Sequence, residues 1–294
     1  MFQMGDCLPY VTHLCGIVPV SGHEVDVADV VSGVFHPSLR QLSGHLMAIQ
    51  RAILECNYAG CKTIWVVCNE DIQPLIRHVL GDFTHSIDSL ISAGFAKYNK
   101  SEKLKSIPIF YVAIPASKRD KRDSLGWSIL HAANEAFLVS SKISKWVIPS
   151  KYFVSFPYGV HCPKSVSDYK KILGSKYNVM LEAKGQSVAS GDYLSFSFNS
   201  NDFKKIRTNI KNNCSGSLSK PYWSSRNFSL DKFYNYDNID NIHKIEIGDY
   251  FPCTSWGEYL AYTRSSLVKE FSIYDYNKLA IKLRNNERIL NQDD

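Results

Sequence analysis

The chain has 294 residues, 45% of them hydrophobic and 21% charged, enough apolar content to bury a large core and too much for a disordered chain. Its 34 Lys and Arg against 28 Asp and Glu leave a formal charge of +6, compatible with anionic ligands or with solubility alone, and too small to name a partner. Residues 1–20 lack a basic start and an uninterrupted apolar stretch, no apolar run approaches membrane-spanning length, and the eight cysteines form no Cys-x-x-Cys pair. A reduced, cytoplasmic setting without membrane contact is therefore expected.

Short apolar runs alternate with segments of helical period through the first half, the pattern of a parallel sheet flanked by helices. The runs are Leu14–Val20, Thr63–Cys68, Ile107–Ile114 and Trp146–Val154. A helix is expected over Ser43–Tyr58, with Leu46, Ile49, Ile53 and Cys56 on its sheet-facing side. A second starts at Asp71 as its cap, carries Ile72, Leu75, Ile76 and Val79, and ends at Gly81. A third spans Ser124–Val139 with Ile129, Leu130, Ala133 and Phe137 as its buried stripe.

The second half reads as a strand over Tyr193–Phe198, a charged helix over Asp202–Lys211, and a polar, aromatic-rich excursion over 212–241. Residues 265–294 read as a C-terminal helical tail, leaving one α/β domain over 1–264.

In an open α/β sheet ligands gather at the carboxyl ends of the strands, so the turn after the first strand, Ile17-Val18-Pro19-Val20-Ser21-Gly22-His23-Glu24, is the first candidate site. It is followed by His36-Pro37-Ser38-Leu39, Leu42-Ser43-Gly44, a helix, and Ala59-Gly60 before the second strand. Further on come Ser124-Leu125-Gly126-Trp127, Glu182-Ala183-Lys184, Ser190-Gly191-Asp192-Tyr193, and Cys253-Thr254-Ser255-Trp256-Gly257-Glu258-Tyr259. In this order, over most of the chain, the segments resemble those of the sugar-phosphate nucleotidyltransferases.

The resemblance implies a Rossmann-like, mixed but mainly parallel sheet flanked by helices, the nucleotide-diphospho-sugar transferase fold. It also implies a nucleoside triphosphate and a sugar phosphate as substrates, with Mg²⁺ as cofactor. It places Ser21, Gly22, Asn69, Gly126, Glu182, Lys184 and Gly191 as substrate-binding residues, Glu182 and Lys184 on the sugar side.

The catalytic positions depart from the family's pattern. The loop arginine is missing, and His23-Glu24-Val25-Asp26 follow the glycine instead. Ser38 stands where the family has Lys, with Arg40 two positions on as the group that would reach the same anion. The metal-binding Asp expected after the fourth strand falls in Val147–Lys151, where no carboxylate occurs, and the second is Cys253. Asp26 and Asp29, beside Glu24, are the candidate replacements for catalysis and for Mg²⁺. The expected function is accordingly nucleotide or nucleotide-sugar chemistry with divergent catalytic residues; the alternative is a binding or assembly module that reuses the scaffold without catalysis.

Several features have plainer readings. The alternating charges of Lys118–Asp123 read as an exposed loop or a phosphate grip at the start of the third helix. Nine scattered histidines show no metal-ligand spacing, and His161 beside Cys162 reads as incidental. Lys204, Lys205, Arg207 and Lys211 read as an ordinary charged helix face, so nucleic acid is not the expected partner. No Asp-x-Asp follows a strand, which argues against a glycosyltransferase.

Overall fold

β1 (Leu14–Pro19) is buried along its whole length. Both of its faces are covered, which is why it reads as a continuous apolar run. The structure, a computed structural model, describes residues 13–21, 36–43, 46–87, 105–118, 125–214 and 242–269. In chain order there follow α1 (Ala48–Ala59), β2 (Thr63–Asn69), α2 (Gln73–Leu80), β3 (Phe83–His85), β4 (Ser106–Ile114) and α3 (Leu125–Ile143). Next are β5 (Lys151–Val154), β6 (Gly159–Val160), α4 (Lys170–Leu173), β7 (Asn178–Ala183), β8 (Gln186–Ser187) and β9 (Phe196–Asn199). The described chain closes with α5 (Ser200–Cys214), β10 (Ile242–Glu246), β11 (Phe251–Pro252) and α6 (Trp256–Thr263).

The main sheet runs β10-β7-β9-β5-β1-β2-β4-β3, with β8 hairpinned onto β7. β5, β1, β2 and β4 are mutually parallel, as are β10 and β7, whereas β9 is antiparallel to both of its neighbours and β3 is antiparallel to β4. This is the expected mixed, mainly parallel sheet. β6 and β11 form a separate antiparallel ribbon of two short strands.

The alternation of side chains along the strands divides the core into two layers. Cys15 and Ile17 of β1, Trp65 and Val67 of β2, and Tyr152 and Val154 of β5 face α3 through Ile129, Leu130, Ala133 and Ala136. Leu14, Val18, Ile64, Val66 and Phe153 point the other way, against Ile49, Ala52, Ile53 and Cys56 of α1. Gly60 ends α1 with a left-handed backbone at φ 87°, a conformation that the Ala-Gly pair before β2 supplies at little cost.

Three expected elements are corrected. Leu42 N–H donates to Leu46 O (2.6 Å) and Gln41 pairs with Met47, so α1 begins at Ala48 rather than at Ser43. Asp71 does not cap α2; Ile72 holds that position without a side-chain bond, and Pro lies in the first turn. Only the last four residues of Trp146–Val154 are strand. Lys145–Val147 form a 3₁₀ turn capped by Ser144, leaving the Trp146 side chain 86% exposed. Among the described residues no helix is long and apolar enough to cross a membrane. The excursion beyond residue 214 and the tail beyond 269 lie outside the described residues, although Leu267 at the start of the tail is buried against the body.

Candidate functional site

The chain passes from β1 outward to β2 and β4, then crosses back through α3 to β5 on the other side of β1. The order of strands therefore reverses between β1 and β5, the switch point at which open α/β sheets place their ligand crevice, above the carboxyl ends of the strands. At its β1 side the N–H groups of Val20 and Ser21 both donate to Val67 O, at 2.8 and 3.1 Å, which folds the exit of β1 over β2. Ser21 is buried, and Ser128 Oγ donates to its carbonyl at 2.9 Å, pinning it to the first turn of α3 where Gly126 also lies buried. Asn69 ends β2 on the same rim, its Oδ1 buried without a hydrogen-bond partner among the described residues. The structure thus brings Ser21, Gly126 and Asn69 to one end of the sheet.

Glu182, Lys184 and Gly191 form a second group, two strands away beyond β5 and β9. The Glu182 carboxylate pairs with Lys244 at 3.1 Å, and Lys184 Nζ, 78% exposed, pairs with Asp249 at 2.9 Å. Lys184 and Gly185 are the two residues that turn β7 into β8, both with positive φ, at 51° and 81°. A two-residue hairpin with this backbone explains Lys184 without a ligand. Gly191, at φ 94°, ends the 3₁₀ turn Val188–Ser190, and a Cβ there would meet nothing. Its glycine serves the backbone, not a close approach.

The carboxylate expected after the fourth strand is relocated by the true end of β5. That strand finishes at Val154 and is followed by Ser155-Phe156-Pro157-Tyr158, again without a carboxylate. The Phe156 side chain is fully buried, its ring 6.1 Å from those of Phe196 and Tyr193. Tyr158 is equally buried; its hydroxyl donates to Val20 O, and its carbonyl accepts from Cys253 N–H at 2.7 Å. Cys253 is therefore welded into the floor, and burial pushes its thiol up to about 12.

Arg40 is buried against backbone carbonyls. It is 5% exposed, and its Nη1 donates to the carbonyls of Cys253 and Ser255, at 2.9 Å each, so it clamps the segment that leads into α6. At the start of α6 the Glu258 carboxylate accepts from Thr254 N, Thr254 Oγ1 and Ser255 N at 2.9, 2.6 and 3.0 Å, while Ser255 Oγ caps Glu258 N–H. The Ser255-x-x-Glu258 spacing is a capping box, which satisfies the start of the helix internally.

Beneath the crevice lies a charged network that the sequence reading missed. Arg51 and Glu55, one turn apart on α1, form a fully buried pair at 3.0 Å. Ser155 Oγ donates to Glu55 Oε2 at 2.5 Å, His161 Nε2 meets Oε1 at 3.0 Å, and Arg51 Nη2 donates to Phe156 O at 2.5 Å. His161, read as incidental, is 1% exposed and part of this network. Burial acts to raise the Glu55 carboxyl; His161, Arg51 and the bonds from His161 and Ser155 outweigh it and hold the group at about 2. Burial also lowers His161, so the imidazole is neutral near pH 7 and the permanent charge opposite Glu55 is that of Arg51. One signal was available in the sequence: α1 is otherwise nearly uncharged, and a helix apolar on most sides must pair the ions it carries.

Gly22, Glu24, Asp26, Asp29, Gly44 and residues 119–123 lie outside the described residues. Among the described residues no three His, Cys, Asp or Glu side chains converge to hold a metal ion. Mg²⁺ asks for hard oxygen ligands at near-octahedral geometry. A buried phenylalanine ring and a protonated thiol do not offer them, so the residues on the crevice floor do not fit Mg²⁺.

No protein-family model and no curated protein sequence matches the chain. Among solved structures it is similar to one assigned as a glucose-1-phosphate thymidylyltransferase from Bacillus anthracis, in complex with a sucrose. The identity is 10% and the TM-score 0.53, over 85% of this chain and 93% of that one. The inositol-1-phosphate CTP transferase from T. maritima aligns at 11% identity and a TM-score of 0.48, over 89% of this chain and 97% of its own. A nucleoside-diphosphate-sugar pyrophosphorylase from Vibrio cholerae RC9 gives 10% and 0.49, over 85% and 100%. At such identities the likeness is one of fold, and the first of the three carries it: this chain has the mixed, mainly parallel α/β fold seen in sugar-phosphate nucleotidyltransferases.

Proposed function

We propose that the protein binds a nucleotide or nucleotide sugar in the crevice above β1, β2 and β5, with Ser21, Asn69 and the Gly126 turn on the nucleotide side and Glu182 and Lys184 on the sugar side. The observation that carries this reading is the convergence of the Ser21 backbone, the start of α3 and Asn69 Oδ1, unpaired among the described residues, at the point where the strand order reverses. An acceptor left without a partner at a strand end is suited to an N–H or O–H donor of a ligand. Any Mg²⁺ would depend on the carboxylates of the Glu24–Asp29 segment.

The replacement of both expected floor carboxylates favours a second reading, in which binding persists without nucleotidyl transfer. Thermal unfolding with nucleoside triphosphates and nucleotide sugars, each with Mg²⁺ or with a chelator, tests binding. A rise in Tm with at least one compound, reduced by Asn69→Ala, is expected; no rise across the panel would sink the proposal. Pyrophosphate release from a nucleoside triphosphate and a sugar 1-phosphate then separates the active reading from the non-catalytic one.

A further inference from the structure

The amino end of the sheet, opposite the crevice, carries an apolar corner that stands in water. α3 ends there at Ile143, and the chain passes through the 3₁₀ turn Lys145–Val147 before it joins β5 at Lys151. The turn is fixed by its own bonds: Trp146 N–H donates to Ser144 Oγ at 3.3 Å and Val147 N–H to Ser144 O at 3.2 Å. It holds Trp146 86% exposed and Ile143 69% exposed, with Leu138 exposed on the preceding turns of α3. Lys142 and Lys145, both exposed, alternate with them. A hydrogen-bonded turn that keeps such side chains in water, rimmed by charge, marks a contact surface.

The charge of this end is one-sided. Between Glu135 and Glu182 the chain has seven lysines and one carboxylate, Asp168. Exposed Lys176 and Tyr177 reach the same end of the sheet, because the carbonyls of Ser175 and Tyr177 accept from Lys151 Nζ at the start of β5.

We propose that Lys142, Ile143, Lys145 and Trp146 form a docking corner for an anionic lipid membrane. Trp146 and Ile143 enter the headgroup region, the lysines meet its negative charge, and the crevice at the other end of the sheet faces the water.

Charge and side-chain type select this occupant. A second copy of the chain, docked about a two-fold axis, would set these lysines against themselves. A nucleic acid would satisfy the lysines, but Ile143 offers no ring on which a base could stack, and Lys142–Trp146 contains no arginine. An anionic membrane suits both halves of the corner, since tryptophan is favoured at headgroup depth and each lysine near the negative surface adds attraction. The contact is superficial: among the described residues no helix is long and apolar enough to cross a membrane. The inference does not depend on which ligand the crevice takes.

The full chain is sedimented with vesicles of phosphatidylserine and phosphatidylcholine in equal parts, and with vesicles of phosphatidylcholine alone. It should bind the first and bind the second about tenfold more weakly, and added salt should narrow the difference. Trp146→Ala should weaken binding about tenfold, and the double variant Lys142→Gln, Lys145→Gln by a similar factor with less dependence on salt. All three side chains are exposed, so Tm should not move and unfolding cannot account for the loss. Phe83→Ala, at a 57% exposed residue of edge strand β3, is the control and should leave binding unchanged. No binding to the phosphatidylserine vesicles, equal binding to both kinds of vesicle, or an equal loss in Phe83→Ala and Trp146→Ala overturns the proposal. So does a Trp146-dependent dimer, or Trp146-dependent binding of a single-stranded oligonucleotide, with the vesicles left unbound.

Discussion

The Glu55 carboxylate and the His161 imidazole meet at 3.0 Å, Oε1 to Nε2, with neither side chain more than 1% exposed. With Nε2 as the donor, Nδ1 is left as an acceptor, so adding a proton there would bury an N–H that has no partner among the described residues. The pair is built for an ionised Glu55 and a neutral His161.

Acid should therefore destabilise the fold in two stages. His161 is lowered in the folded state by burial, so just below 6.5 the unfolded chain binds more protons and stability falls with pH; buried His13 acts in the same sense. Glu55 is held at about 2 against 4.5 unfolded, so its contribution is present above 4.5 and is lost as pH falls from there toward 2. Urea midpoints measured from pH 7.5 to pH 3.5 should decline through both windows (about 6.5 and about 4.5 are the ordinary His and Glu values). His161→Asn should flatten the upper window and also shrink the lower one, because His161 is the first of the groups that hold Glu55 down.

Gly159 admits no side chain. A Cβ there would lie 2.2 Å from the backbone oxygen of Tyr193 and 2.8 Å from Tyr250 Cε2, and the first of these is main chain that cannot step aside. Gly159→Ala should cost about 3 kcal/mol or more, read from the denaturant midpoint. A loss of less than about 1 kcal/mol would show that β6 and the Tyr193 segment approach less closely than described.

Lys184 separates a turn role from a ligand role. Its φ of 51° strains a side chain, and its pair with Asp249 is exposed. Lys184→Gly should relieve roughly 0.5–1 kcal/mol of backbone strain and lose a few tenths from the surface pair, leaving the protein unchanged or slightly more stable. Lys184→Val should destabilise it by about 1 kcal/mol. Thermal melts of the two variants, with and without a nucleotide sugar, read the fold and the ligand contribution separately.

Lys151 offers a test of buried charge away from the crevice. Its ammonium, fully buried on β5, donates to the carbonyls of Leu173, Ser175 and Tyr177, while burial pulls it down to about 8. Lys151→Met would leave those carbonyls unpaired and should cost on the order of 3 kcal/mol. Hydrogen exchange should show the loss concentrated in residues 173–177.

The parts of the fold legible in advance were those with a strong local period. β1 and β2 appeared as apolar runs because each is covered on both faces, and β4 because its apolar residues are alternately buried; α3 appeared because Ile129, Leu130 and Ala133 repeat at helical spacing, although Phe137, expected on the same buried stripe, is exposed. β7 and β10 carry shorter or mixed patterns and went unread, as did the hairpin at Lys184-Gly185. Trp146–Val154 misled because an apolar run of that length does not say where it enters the sheet; Ser144 and Ser150 decide that by capping a turn and bonding to His13.

By itself the sequence determined the class of fold and the order of its segments, because composition and periodicity act locally along the chain. Only the tertiary structure decided the partners of its buried polar residues. Arg40 became a clamp on Cys253, Phe156 and Tyr158 became the crevice floor, and Arg51, Glu55 and His161 became one buried network. Those roles depend on contacts across as many as 213 positions, and burial sets both the strength of such pairs and the protonation of their members.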